Sequence, residues 1–171
     1  MDPTRTQRFE QMFTEHYAAV RGYALRRTSA DAAQDTVAET FLVAWRRLDD
    51  VPPDALPWLF GVARRVLANQ RRSTARSAAL EQRLAGTTAI GSHEDRADEA
   101  EALRAALGRL SESDREALML VAWHGLSTAR AARAVGCTRT AFGVRLHRAR
   151  RRLEAQLGRQ PLPTAASVEA S

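Results

Sequence analysis

Arginine dominates the stretch of this chain whose spacing best suggests chemistry. From Leu126 to Leu153 the sequence reads LSTARAARAVGCTRTAFGVRLHRARRRL. Ser127 is placed to cap a short first helix over about Thr128–Val135, because its hydroxyl can accept from an otherwise unpaired first-turn N–H. Gly136 follows, a residue suited to leaving a helix with positive φ. Thr138 is placed to cap a second, longer helix. In that helix Phe142, Leu146, Ala149 and Leu153 recur at helical spacing as one apolar stripe. Arg139, Arg145, His147, Arg148, Arg150, Arg151 and Arg152 fall on the other side. A guanidinium fork donates two hydrogen bonds at once to a phosphate or to a guanine edge. A helix–turn–helix that is apolar on one side and arginine-dense on the other suits a DNA groove. The plainer alternative is a solvated helix in an unrelated bundle. Charge balance favours DNA, since Leu126–Gln160 holds nine Arg against one acidic residue.

The elements that must position these residues read as helices throughout. A first helix spans about Thr6–Arg27, with Phe9, Phe13, Val20 and Ala24 on one face. Asp31 is placed to cap the next, which runs to about Leu48. Its stripe is Val37, Phe41, Ala44 and Leu48, and Asp35 and Glu39 lie a turn apart on its polar side. Asp49-Asp50-Val51-Pro52-Pro53-Asp54 then breaks the helix, because two prolines cannot continue it. A third helix starts near Pro57 and reads PWLFGVARRVLANQRRS. Leu59, Val62 and Val66 are spaced for burial. Arg65, Asn69 and Arg72 share a polar face, flanked by Arg64 and Arg71. Gly86–Ser92 has no helical periodicity and reads as part of a linker. Helical pattern resumes over Asp98–Leu110, and Ser111 with Asp114 opens a further helix in a capping-box-like arrangement. Gln160–Ser171 is a polar, proline-containing tail, expected to be disordered.

The whole chain bounds the function classes. Its 171 residues carry a net charge of +6, and every one of the 26 basic Lys/Arg positions is Arg. That balance favours a polyanionic partner. The charge is uneven: Met1–Thr74 holds eleven Arg against nine acidic residues, and Asp98–Gly125 three against six. Separate surfaces for separate partners are implied. The one cysteine, Cys137, excludes an internal disulfide framework and a multi-Cys zinc site, and its place in a turn reads as packing. His16, His93, His124 and His147 are scattered. No glycine-rich phosphate loop, metal-spaced His/Cys cluster or catalytic triad pattern appears, so an enzyme is not expected and neither metal nor cofactor is implied. No stretch is long enough for a membrane span, and no signal-peptide pattern opens the chain, so a cytoplasmic place is expected.

Three segments together resemble the extracytoplasmic-function sigma factors, specificity subunits of bacterial RNA polymerase. DAAQDTVAETFLVAWRRL (residues 31–48) resembles the segment that docks on the polymerase clamp. PWLFGVARRVLANQRR resembles the helix that recognises the minus-ten element, and Leu126–Leu153 the helix–turn–helix that reads the minus-thirty-five element. The resemblance implies an all-α fold of two small helical domains joined by a flexible linker, the second holding the helix–turn–helix. The expected boundaries are 1–74, a linker over 75–97, 98–157, and a tail over 158–171. It implies polymerase contacts at Asp35, Glu39, Phe41 and Trp45, although the domain's own core is the stronger reading for Phe41 and Trp45. It implies DNA contacts at Arg64, Arg65, Asn69, Arg71 and Arg72, with the loop Asp49–Leu56 receiving a flipped base. On the recognition helix it implies contacts at Arg139, Thr140, Gly143, Arg145, His147, Arg148 and Arg150. Arg65 stands where the family often has Asn, and Gly143 where Lys or Arg is common. The partners implied are core RNA polymerase, promoter DNA and an anti-sigma factor. A free-standing helix–turn–helix regulator is the alternative, but it leaves the 31–48 segment and the Trp58–Arg72 helix without a task.

Overall fold

A computed structural model describes residues 3–82 and 98–158, with side chains over 4–74 and 102–158. The regular structure among these residues is helical: α1 (Pro3–Leu25), α2 (Ala30–Arg46), α3 (Ala55–Gln82), α4 (Asp98–Arg109), α5 (Glu112–Ala122), α6 (Thr128–Val135) and α7 (Arg139–Leu157), with a 3-10 turn at Leu48–Asp50. The chain divides into two compact units. One is built on α1–α3, the other on α4, α5, α7 and α6 through Ala132.

In the first unit each helix packs against the other two. On α2 the buried residues are Ala33, Thr36, Val37, Thr40, Phe41 and Ala44. That i, i+3, i+4, i+7 series is the stripe a helix needs to face a core. It meets Val20, Tyr23 and Ala24 of α1 and Leu59, Phe60, Ala63 and Leu67 of α3, all buried. The Tyr23 and Phe60 rings stack at 4.8 Å. Thr36 and Thr40 are buried with their hydroxyls partnered, each donating back to a carbonyl of its own helix at 2.7 Å. Thr36 Oγ1 also lies 3.0 Å from Gln70 Oε1 of α3.

Several boundaries differ from expectation, and α1 itself runs over Pro3–Leu25 where about 6–27 was expected. Ser29, not Asp31, occupies the N-cap position of α2; its backbone is extended (φ −63°, ψ 164°) and its hydroxyl makes no cap bond. Asp31 lies in the first turn, where its charge faces the positive end of the helix dipole. α2 stops at Arg46, and Leu48 sits buried in the 3-10 turn that follows. α3 runs on to Gln82, so residues 75–82 belong to a helix where a linker was expected. Ser73–Gln82 contains neither Gly nor Pro and is rich in Ala, Arg, Leu, Glu and Gln, so nothing local stops the helix. The rest of the expected linker, 83–97, lies outside the described residues, as does the expected tail beyond Gly158.

In the second unit α7 packs against α5 and α4. Phe142, Leu146, Ala149 and Leu153 are the buried residues of α7, opposite Leu110, Ala117 and Leu120. Burying side chains the size of Phe142, Leu146 and Leu153 contributes roughly 1.5–3 kcal/mol each before entropy is counted. The caps are those the sequence requires. Ser111 Oγ accepts from Asp114 N at 3.2 Å, Ser127 Oγ from Arg130 N at 3.3 Å and Thr138 Oγ1 from Ala141 N at 3.2 Å. Gly136 has φ 72°, and two bonds close the turn: Cys137 N to Ala132 O at 3.0 Å and Gly136 N to Arg133 O at 3.2 Å. This is the pattern of a glycine-ended helix, with the half-buried Cys137 donating its backbone N–H to close the turn.

Candidate nucleic-acid interface

The outward side of α7 follows from its inward one. At about 100° per residue, Thr140, Val144 and Arg151 project opposite the buried stripe, with His147 and Arg148 beside them. Arg139, Thr140, His147, Arg148 and Arg151 are exposed, whereas Gly143, Arg145 and Arg150 are half-buried on the flanks. Val144 was not among the residues singled out from the sequence. It is 47% exposed, the one large apolar side chain among the exposed residues of this helix. A helical projection from Phe142 was the signal that would have found it. Arg152 departs from its neighbours. Its guanidinium reaches into the unit and pairs with Asp114 Oδ2 of α5; the Asp114 side chain is only 6% exposed. One of the arginines counted toward DNA therefore holds the fold.

Gly143 has open space beside it, since a Cβ there would meet nothing within 4 Å. Packing within the unit does not demand glycine at this position.

On α3 two exposed ridges carry charge. Arg65, Asn69 and Arg72 form one, and the Arg72 guanidinium donates to Asn69 Oδ1. Arg64 and Arg71 form the other, with Arg71 Nη2 donating to the Arg27 carbonyl at 3.4 Å. The loop before α3 is strapped to α1 by two arginines that sequence reasoning passed over. Arg8 Nη2 donates to Val51 O at 2.9 Å. Arg5 donates to Trp45 O at 2.8 Å and to Asp49 Oδ2 at 2.9 Å. Arg47 adds an ion pair to Asp50 at 2.9 Å. Ala55 and Leu56, expected in this loop, are the first residues of α3.

On α2, Asp35 and Glu39 point outward a turn apart, with Leu42 exposed beside them. Phe41 does not join them. It is 3% exposed, with its ring 4.7 Å from Phe13 and edge-on to Phe9 at 6.4 Å. Trp45 is half-buried, edge-on to Phe9 at 5.2 Å, with the Arg5 guanidinium 5.4 Å from its ring. Those two rings are where an aromatic core puts them.

Comparison with known proteins bears on what these faces are for. Residues 12–77 match the family pattern described as Sigma-70 region 2, and residues 100–153 match Sigma-70, region 4. The ECF RNA polymerase sigma factor SigL of Mycobacterium tuberculosis is 34% identical over 157 residues, covering 85% of this chain and 86% of SigL. The chain is an ECF sigma factor. A second relative, the ECF RNA polymerase sigma factor EcfG of Rhodopseudomonas palustris, is 34% identical over 143 residues, covering 81% of this chain and 79% of EcfG. Among solved structures, the sigma factor RpoE of Bartonella quintana, in complex with the anti-sigma factor NepR, superposes with a TM-score of 0.69 at 28% identity. That match covers 88% of this chain and 96% of RpoE.

As an ECF sigma factor the protein is an RNA polymerase subunit that directs promoter-specific initiation. The region 2 match includes α2 and most of α3, the segments that a free-standing regulator leaves idle. Sigma factors are regulatory subunits and not enzymes. Among the described residues no helix is long and apolar enough to cross a membrane.

Proposed function

We propose that the two units of this sigma factor read two promoter elements through the faces described above. The first docks on core polymerase through Asp35 and Glu39, acidic groups that meet basic ones on the polymerase and set register and on-rate. It reads the minus-ten element with Arg64, Arg65, Asn69, Arg71 and Arg72. The loop that Arg5 and Arg8 hold receives an extruded base, whose unstacking costs a few kcal/mol and is offset by a fitted pocket. The second unit lays α7 in the major groove of the minus-thirty-five element. There Arg139, Thr140, His147 and Arg148 face the duplex, with Gly143, Arg145 and Arg150 along its edge. The chain works in the cytoplasm, without metal or cofactor, and leaves the chemistry to the polymerase. RpoE was solved with NepR and CnrH with the cytosolic domain of CnrY. By the same logic an anti-sigma protein holds this chain inactive.

The observation that carries the reading is one arginine-bearing helix face in each of two separate units, matched to regions 2 and 4. The test is reconstitution with core polymerase and transcription of a genomic library, followed by alignment of start sites. The expected result is two shared elements upstream of the starts, one lost when 98–158 is deleted. A chain that fails to join polymerase, or start sites without a common upstream element, refutes the proposal.

A further inference from the structure

The geometry points to Val144 as a specificity-determining residue that reads a thymine methyl group in the upstream promoter element. The inference rests on the proposed placing of α7 in the major groove and adds the chemistry of one base.

Val144 is 47% exposed on a helix that buries Phe142, Leu146, Ala149 and Leu153 in the unit. A lone exposed valine is ordinary on a protein surface. Its surroundings here are not. At about 100° per residue it lies near the centre of the side facing away from Phe142, in the first half of α7, where a recognition helix touches base edges. Thr140 lies one turn before it and Arg148 one turn after, both exposed. The face thus offers one apolar contact ringed by donors, in a charge field suited to a duplex.

Major-groove edges carry one apolar group, the C5-methyl of thymine. The rest of the groove floor is donors and acceptors, which a valine side chain leaves desolvated and unpaired. Opposite Val144 a thymine is therefore favoured, and cytosine, whose exocyclic amino group would be stranded, is disfavoured. Valine is also stiff at χ1, so its two methyls present a fixed surface at little entropic cost. The open space at Gly143, the preceding residue, leaves no side chain to hold the helix away from the groove on that flank.

The test removes only the methyl. Duplexes selected from a randomised pool by holoenzyme reconstituted with the full chain are resynthesised with deoxyuridine replacing each thymidine of the upstream element, one at a time and on each strand. The expected result is one position where deoxyuridine weakens binding about fourfold, the scale of one methyl removed from burial. Val144→Ala binds the thymidine and deoxyuridine duplexes alike at that position. Because Val144 faces solvent and Ala is the better helix former, the variant keeps its fold, checked by an unchanged melting curve. If other substitutions in the upstream element weaken binding while no deoxyuridine does, Val144 is not a reader and the inference fails with the placing of α7 intact. If no substitution in that element matters, the placing of α7 fails and the inference with it.

Discussion

Arg152→Ala separates the arginines that hold this protein together from those that face its partner. The Asp114 side chain is 6% exposed and that of Arg152 is 60% exposed, so the pair is buried at one end only. Removing the arginine strands a buried carboxylate. A fully buried pair broken this way costs about 3–5 kcal/mol, and a stranded polar group about 1–3 kcal/mol. Two features here lower the figure. Arg152 is largely screened by water, and Asp114 lies in the first turn of α5, where the helix N-terminus favours its charge. We expect about 1.5–2 kcal/mol. Asp114→Ala is expected to cost less, about 1 kcal/mol, because it returns a guanidinium to solvent and strands nothing. The double variant should then be no worse than Asp114→Ala alone, a coupling of about 1.5–2 kcal/mol. Amide hydrogen exchange reads each unit by itself. Protection of α5 and α7 should fall roughly 10- to 30-fold in Arg152→Ala, with α1–α3 unchanged. Equal losses in the two single variants, additive in the double, would show that the pair is a surface contact and refute the reasoning.

Arg148→Ala should weaken binding to upstream duplex and reduce the slope of log affinity against log salt by about 1. An unchanged slope by fluorescence anisotropy would remove Arg148 from the phosphate contacts. Asn69→Ala should lower permanganate reactivity of the opened minus-ten region more than it lowers closed-complex binding, and equal losses would contradict its role in opening. Phe41→Ala should destabilise the α1–α3 unit by about 3–4 kcal/mol, the usual cost of emptying a buried phenylalanine site. Glu39→Ala should leave the melt unchanged and weaken capture of core polymerase. If Phe41→Ala melts like the parent, its ring is a docking residue after all.

What the sequence disclosed about the fold was whatever local chemistry determines. The limits of α6 and α7 were legible because Ser127, Gly136 and Thr138 specify them within a few residues, and the matching cap bonds form. The start of α2 was misread because Ser29 and Asp31 are both capping types two residues apart. The end of α3 was placed too early, although part of 78–84 was read as compatible with helix, because no residue between Ser73 and Gln82 announces a stop. At the site the sequence supplied residue types and faces, and α7 turned Arg139, His147, Arg148 and Arg151 outward, while Arg145 and Arg150 lie half-buried on its flanks. It did not supply partners distant in the chain. Arg148 and Arg152 are the same residue on the same helix, and only Asp114, 38 positions away, distinguishes them. Arg8 reaches Val51 across 43 positions, so no periodicity could reveal it.

These long reaches change how a net charge should be read. With no lysine in the chain, guanidinium groups do both jobs: they fasten loops and helices, and they face outward. The fastening is chemically apt. Arg5 spans a carbonyl, a carboxylate and an indole ring at once, which a planar fork manages and a point-charge ammonium does not. Arginine abundance is therefore a poor count of phosphate contacts. A charge already committed inside a unit neutralises no phosphate and releases no counterion. On α7 the exposed Arg139, Arg148 and Arg151 remain for that work, while Arg145 and Arg150 lie half-buried at its edges. The modest number of outward charges sits beside an apolar Val144, so on the proposed reading affinity for a polyanion and discrimination among sequences are carried by different side chains. A recognition helix so divided binds weakly to any duplex through its charges, and gains its preference from the few atoms that reach the base edges.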